Sequence, residues 1–580
     1  MPRRKVIPDL TQLTFDPASN LIKLEALRVA NFAVTYYTLE DVVNDRQMYL
    51  SDQVEATKQF VIGHIPPIVL EDFLKNAVLV GICEALVEKK LLWTPNIDKR
   101  KFRLELNAIV KFCNLLVHPM RRVLDLASVP QMIRTRLYGS LRRFEGLHTL
   151  ILGSGSGGWV PEAYADKFIT ALPHFNRLQK FSLKYDCTEI VLKALSETCS
   201  NTLRSLDVER SQQVKDQACV DHILHFKNLV ELNIFKTGLL DSEICQIIVS
   251  LKEIRHIPRG DFLCEVLEYL EDEVTLDIQF KFEEFWASED YFFHTEEQMM
   301  LVAKYCPKIH TALFMFRDDC CRSLLVLNNF NHLKDLDLWG GKFYTDGLIH
   351  FLETCGHQLE RLSLVHIEEV DKRAIAIITS TCTKLEKLGL HNSDFIETSN
   401  PDNINEAFRD ADRMLQYEND REIKSLLTPM LDLHTLKIVG ECSEDLLTFI
   451  LSFCLNVRYV SLGMSTKISD QVLQNVLVNN RLAKLETLSI QKSGQNLTMK
   501  GIELLIENCD NLKFFKDPTC FEGVHENEVK ILKLKIKEEN LDLLLEEEPV
   551  KVRDPSGAEL TRSILNKDGP SNFEQFFKNS

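Results

Sequence analysis

The 580-residue sequence predicts an α/β leucine-rich-repeat solenoid, a horseshoe in which a parallel sheet lines the concave face and helices pack outside it, behind an α-helical N-terminal region. Three observations predict it: a recurring L-x-x-L-x-L pattern, a step of 26 or 27 residues between copies, and a capped amphipathic stretch after many of them.

The pattern occurs at Leu147-Leu150-Leu152, Leu178-Phe181-Leu183, Leu203-Leu206-Val208 and Leu229-Leu232-Ile234. It returns at Leu333-Leu336-Leu338, Leu359-Leu362-Leu364, Leu385-Leu388-Leu390, Leu433-Leu436-Ile438, Val457-Val460-Leu462 and Leu485-Leu488-Ile490. Weaker copies sit at Leu251-Ile254, Ile309-Ala312-Phe314 and Leu512-Phe515. From Leu203 to Leu229, Leu333 to Leu359 and Leu359 to Leu385 the step is 26 residues, and from Leu485 to Leu512 it is 27. After the strand comes a cap and an i, i+3, i+4 apolar series: Thr345-Asp346 before Leu348, Phe351 and Leu352, Ser469-Asp470 before Val472, Leu473 and Val476, Thr498 before Ile502, Leu505 and Ile506. Neither strand nor helix buries its apolar face alone, so the turns must stack, and the expected strands form one parallel sheet.

Composition narrows the function classes. An apolar share of 45% supports a large core, and 85 acidic against 68 basic side chains give a net charge of -17. Such a charge repels phosphate backbones and anionic lipid, so neither nucleic acid nor membrane is an expected partner. The start, Met1-Pro2-Arg3-Arg4-Lys5, leads into Pro8 and Asp9 instead of an apolar run and does not read as a secretory signal. The most apolar stretch, Ala77 to Val87, is about half of the roughly 20 residues a bilayer requires. The expectation is an intracellular protein, cytoplasmic, nuclear or both.

Sixteen cysteines form no CxxC pair, which removes the main support for zinc ribbons and thioredoxin-like chemistry. Position explains many of them. Cys199, Cys306, Cys355, Cys382, Cys454 and Cys509 each precede a strand motif by three or four residues. This phasing resembles the cysteine-containing subfamily of leucine-rich repeats, over about residues 120 to 520. Many proteins of that subfamily are substrate receptors of cullin-type ubiquitin ligases, which the resemblance implies and the spacing does not.

Residues 1 to 120 lack the repeat and read as helices over Leu21 to Ala33, Val69 to Lys89 and Arg103 to Leu116. Ile65-Pro66-Pro67-Ile68-Val69-Leu70-Glu71-Asp72-Phe73-Leu74 resembles the opening of an F-box, with Ile68 where an acidic residue is usual. Alternatively, Asn20 to Ala30 followed by Ile65 to Leu74 is similar to the von Hippel-Lindau box of Zyg-eleven-type receptors, with Glu25 in place of the box's cysteine. Either resemblance implies a Skp or elongin adaptor and a cullin, held by Leu24, Leu27, Pro66, Pro67, Leu70, Phe73 and Leu74. A third reading makes this region a plain helical cap, and the protein a scaffold outside any ligase.

Two intervals break the rhythm: an irregular insert near 261–298, with a strand expected at Val274-Leu276-Ile278, and an acidic loop near 392–424. Residues 521 to 580 read as a capping helix and a polar tail. Gly153-Ser154-Gly155-Ser156-Gly157-Gly158 matches G-x-G-x-x-G, but Trp159-Val160-Pro161 intervenes where a phosphate-binding helix should begin, so it reads as a repeat loop. No HExxH, GxSxG or GxxxxGK[ST] occurs. The expectation is a binding protein without catalytic residues, metal or cofactor.

Strand side chains alternate, so residues between and after the motif leucines point away from the core. Candidate partner-binding residues are therefore Asp207, Phe235, Asp335, Asp337, Trp339, Arg361, His391 and Tyr459. Trp339, Phe235 and Tyr459 are the expected exposed anchors.

Overall fold

The computed structural model describes residues 10–35, 52–59, 78–89 without 79 and 87, 99–117, 121–127, 137–152, 168–258, 262–273, 278–286, 293–316, 324–391, 430–463, 466–491, 496–516, 521–539, 541–546, 552–553 and 559–560. The chain divides into two compact units, one running from Ile7 to Glu253 and the other from Ile254 to Glu548.

In the first unit, helix α1 (Leu10–Thr35) packs against α2 (Lys99–Lys111). Ile22, Ala26, Val29, Ala30 and Ala33 bury one stripe of α1, the spacing that places residues on one helical face. Lys23 pairs with Glu88 at 3.0 Å and Lys89 with Glu105 at 3.1 Å, tying the helical region together at its surface. A parallel sheet follows: β1 (Val123–Asp125), β2 (Thr149–Ile151), β3 (Lys180–Ser182), β4 (Ser205–Asp207) and β5 (Glu231–Asn233), paired in that order. Strand β1 belongs to a repeat whose first apolar position is Arg121. The guanidinium is buried and donates to the carbonyls of Leu116 and Val123, which satisfies it where a leucine would stand.

The second unit carries a ten-stranded sheet in sequence order: β6 (Glu284–Phe285), β7 (Thr311–Met315), β8 (Asp335–Trp339), β9 (Arg361–Val365), β10 (Lys387–His391), β11 (Thr435–Val439), β12 (Tyr459–Leu462), β13 (Thr487–Ile490), β14 (Phe514–Lys516) and β15 (Leu544–Glu546). Neighbours are parallel and in register, so that Leu336, Leu362, Leu388, Leu436, Val460 and Leu488 form one buried ladder. Each buried leucine contributes on the order of 1.5–3 kcal/mol, so the ladder is the main cohesion between turns. Outer helices include α3 (Lys372–Thr381), α4 (Glu444–Phe453), α5 (Asp470–Asn479) and α6 (Met499–Asn508). Asp371, Ser443, Ser469 and Thr498 cap these four, each accepting a backbone N–H from the first turn.

The expectation of a single sheet is corrected: the repeat strands belong to two sheets, β1–β5 and β6–β15. The copy at Leu251-Ile254 has His256 in its third apolar position, and its imidazole faces Glu284 at 3.3 Å rather than core. Pro258 follows, with no N–H for a ladder. Of the strand expected in the insert, Val274 and Leu276 lie outside the described residues and Ile278 is not in a strand; a strand stands at Glu284–Phe285. Phe282 and Phe285, both buried, form an aromatic version of the first half of the motif. At the other end the sheet continues past residue 520 through β15.

The cysteines act as joints. Cys306, Cys382 and Cys509 donate their N–H groups to the carbonyls of Val302, Ile378 and Leu505, closing the preceding helix at 2.8–2.9 Å. Their own carbonyls accept from Ile309, Leu385 and Leu512, where the next strand motif begins. Cys454 accepts from Val457 in the same way. All four side chains are buried, as are Cys199 and Cys355, and each thiol is free.

Candidate functional site

On the β6–β15 sheet the residues between the ladder leucines form rows on the opposite face. One row runs Thr311, Asp335, Arg361, Lys387, Thr435, Tyr459, and the next runs Leu313, Asp337, Ser363, Gly389, Lys437, Ser461. A third holds Met315, Trp339, Val365 and His391. The structure thus brings Asp335, Asp337, Trp339, Arg361 and His391 together on three adjacent strands, with Tyr459 two strands beyond β10. Asp207 and Phe235 belong to the other unit.

These residues differ in what they offer. Tyr459 is 46% exposed. Asp335 is engaged: Arg361 Nε donates to its Oδ1 at 2.6 Å, a second guanidinium nitrogen pairs with Oδ2, and Thr311 Oγ1 donates to Oδ2 at 3.0 Å. Asp337, 6% exposed, receives the Ser363 hydroxyl, and burial pushes its carboxyl up to about 7. Burial likewise depresses His391 to about 4, with Lys437 beside it. Gly389 keeps this spot open, because a Cβ there would stand 3.0 Å from His391 Nε2 and 3.3 Å from Ser363 Oγ.

Trp339 lies in an apolar patch on the same face. Partly buried Trp286, Phe293 and Trp339 pack on Leu313 and Met315. The indole N–H of Trp286 donates to Glu284 at 3.0 Å, whereas that of Trp339 is buried without a partner among the described residues. His294 holds the patch in place. Its Nδ1 accepts the Met315 N–H at 3.1 Å, and burial lowers it to about 4, a neutral ring suited to that acceptor role. Among the insert's aromatics Phe280, Phe282 and Phe285 are buried in the core, whereas Trp286 is only partly buried and joins this patch with Phe293, which the sequence pattern does not single out.

In the first unit the corresponding face carries its own ion pairs and hydrogen bonds. Lys184 Nζ lies 2.6 Å from Glu209 and 3.4 Å from Asp207, Ser182 Oγ donates to Asp207, Asn233 Nδ2 to Glu209, and Arg210 stands 5.7 Å from the centre of the Tyr185 ring. Phe235 corrects its expected role as an exposed anchor, being only 5% exposed. The chain turns at Lys236, whose φ is +52°, and the Lys236 ammonium covers the Phe235 ring at 5.3 Å.

Of the adaptor residues, Leu24 projects from α1 and is 63% exposed, with Leu21 at 38% beside it. Leu27 is 8% exposed, so it belongs to the packing of the helical region. Pro66, Pro67, Leu70, Phe73 and Leu74 lie outside the described residues, as do the glycine run 153–158 and the loop 392–424.

A shallow cavity of about 480 Å³ lies at the strand starts, lined among others by Glu360, Glu386, Asp432, Lys384, Arg458 and Lys484. Its opposite charges balance and it lacks an aromatic anchor, so it ranks below the Trp339 face as a binding surface. Among the described residues no group of three metal-ligating side chains occurs, and no helix is long and apolar enough to cross a membrane.

No family model matches the chain, and no curated protein matches it. Among solved structures, a leucine-rich-repeat protein of Leptospira interrogans is similar at 13% identity and a TM-score of 0.32, covering 76% of this chain and 98% of its own. The Rad7–Elc1 complex of yeast is similar at 13% identity and a TM-score of 0.31, covering 68% of this chain and 89% of its own. The chain is an α/β leucine-rich-repeat solenoid by its own geometry: parallel strands in register, a buried leucine ladder, and cysteines joining helix to strand.

Proposed function

We propose that this protein is a substrate-recognition subunit of a cullin-RING ubiquitin ligase, with no catalytic step of its own. Its N-terminal helices hold a Skp or elongin adaptor while the open face of the sheet holds the target. The observation that carries the adaptor half is α1, a helix already packed along Ile22, Ala26 and Val29 that still presents Leu24 and Leu21 to solvent. Exposed leucines on a braced helix suit docking into an apolar groove. The sequence resemblance of the N-terminal region to adaptor-binding boxes supports the same reading.

The test is affinity capture with the full chain from cell extract, followed by identification of adaptors. Wild type should retain Skp or an elongin, and Leu24→Asp should lose it with an unchanged melting temperature, since Leu24 contributes little to the core. Capture of neither adaptor by the wild type overturns the ligase reading and leaves a protein-interaction scaffold.

A further inference from the structure

We infer that the face formed by Asp337 and Trp339 docks a segment of a partner protein that inserts a lysine or arginine side chain between them. The inference rests on the target-holding role proposed for this face and is independent of the adaptor.

The two units make the same position in two ways. Asp207 follows the second motif leucine of β4, and Asp337 follows that of β8, so the two carboxylates occupy equivalent places on their strands. In the first unit the preceding turn supplies Lys184, which reaches Asp207 at 3.4 Å and Glu209 at 2.6 Å. On the strand preceding β8, the position matching Lys184 is Met315, which cannot supply charge. Arg361, the nearest guanidinium, is committed to Asp335. Asp337 therefore has one direct hydrogen bond, from Ser363, and no ion pair among the described residues; Arg361 and Lys437 act on it only at a distance, and burial is the main reason that its carboxyl titrates high.

Beside this carboxylate stands an aromatic surface with spare capacity. In the first unit Tyr185 is already covered by Arg210. On β8, Trp339 with Trp286 and Phe293 forms a partly exposed patch, and the Trp339 indole N–H has no acceptor among the described residues. An incoming segment supplies both missing partners: a cation for Asp337 that also rests on the indole face, and a backbone carbonyl for the indole N–H. Gly389 adds depth by leaving no side chain against Ser363. The chain's net charge of -17 favours approach of a basic segment at long range.

Four fluorescein-labelled ten-residue peptides, identical except for a central arginine, lysine, citrulline or glutamate flanked by leucine and serine, test this by fluorescence anisotropy with the full chain. The arginine and lysine peptides should bind at least tenfold more tightly than the other two. Asp337→Asn should reduce the arginine peptide to the citrulline level, and Met315→Lys, which places an internal ammonium where Lys184 stands in the other unit, should compete the peptide away. Asp207→Asn should change nothing. Equal affinity for arginine and citrulline, no saturable binding of the arginine peptide up to about millimolar, or full binding by a folded Asp337→Asn protein would each overturn the inference. Adaptor capture reads separately: arginine-peptide binding without adaptor capture removes the ligase reading and keeps this surface, and the reverse outcome removes this surface alone.

Discussion

Asn480 Nδ2 donates to the carbonyl oxygen of Cys454 across 3.0 Å and to that of Leu451 across 2.8 Å, so one amide closes the end of the preceding turn's helix. Asn480 stands at a helix end where other turns carry cysteine, and its Oδ1 also accepts the N–H of Leu482. Asn480 closes its own helix through its backbone N–H to Val476, as the cysteines do, and its amide adds a tie to the preceding turn.

Replacing Asn480 with alanine should remove two hydrogen bonds to buried carbonyls, leaving that of Cys454 with Val457 alone, and destabilise the second unit by about 1–3 kcal/mol. Urea unfolding would show it as a lower midpoint with unchanged slope. An unchanged midpoint would mean that water takes over both bonds.

Cys355, Cys382, Cys454 and Cys509 should resist a thiol reagent in the native protein and react after unfolding. Burial pushes the thiols of Cys382, Cys454 and Cys509 up to about 11, 12 and 12, so thiolate is scarce at neutral pH. Cys454→Ser should cost about 1–3 kcal/mol through burial of a hydroxyl. Rapid labelling of all four in the folded state would contradict their place at the joints.

Gly501 sits in the first turn of α6, where alanine would ordinarily gain about 1 kcal/mol of helix propensity. Here a Cβ would come within 2.3 Å of Asp470 Oδ1, which accepts the Thr498 N–H at 2.9 Å. The clash should win, with a net loss of about 1–3 kcal/mol for Gly501→Ala. A higher melting temperature for the variant would show that Asp470 yields without loss.

The carboxyl of Asp337 titrates near 7 in the folded chain against an ordinary 3.8. A raised folded value means that its contribution is fully present below about 3.8 and fades as pH rises through about 7. Asp337→Asn removes that dependence. Relative to wild type, the variant's melting temperature should therefore rise between pH 5 and pH 8. A difference that stays constant over this range would show that Asp337 is already ionised and compensated.

The leucine ladder was legible because its period is enforced by stacking: Leu336, Leu362 and Leu388 recur wherever a strand must bury one side chain against its neighbours. Strands escaped notice where another residue fills the same slot. Arg121 begins the β1 repeat by satisfying its guanidinium on carbonyls, and Phe282 and Phe285 replace leucine before β7. The break between the two sheets falls around His256, whose neighbours Glu283 and Glu284 become apparent only in three dimensions. Of the site, alternation placed Asp335, Asp337 and Trp339 on one face. It could not reveal that Phe235 turns inward or that Asp335 absorbs Arg361, because both depend on side-chain packing across turns.

The joint at Cys382 has an architectural consequence. Each cysteine joint ties the start of a strand to the end of the helix before it, so strand register does not require a fixed step between motifs. The motif starts Leu385 and Leu433 are 48 residues apart, nearly twice the usual step, yet Lys387 still pairs with Thr435 and His391 with Val439 without slippage. Steps of new length are thus compatible with residues on the open face that keep their alignment, so the face and the lengths of its connections are able to diversify separately.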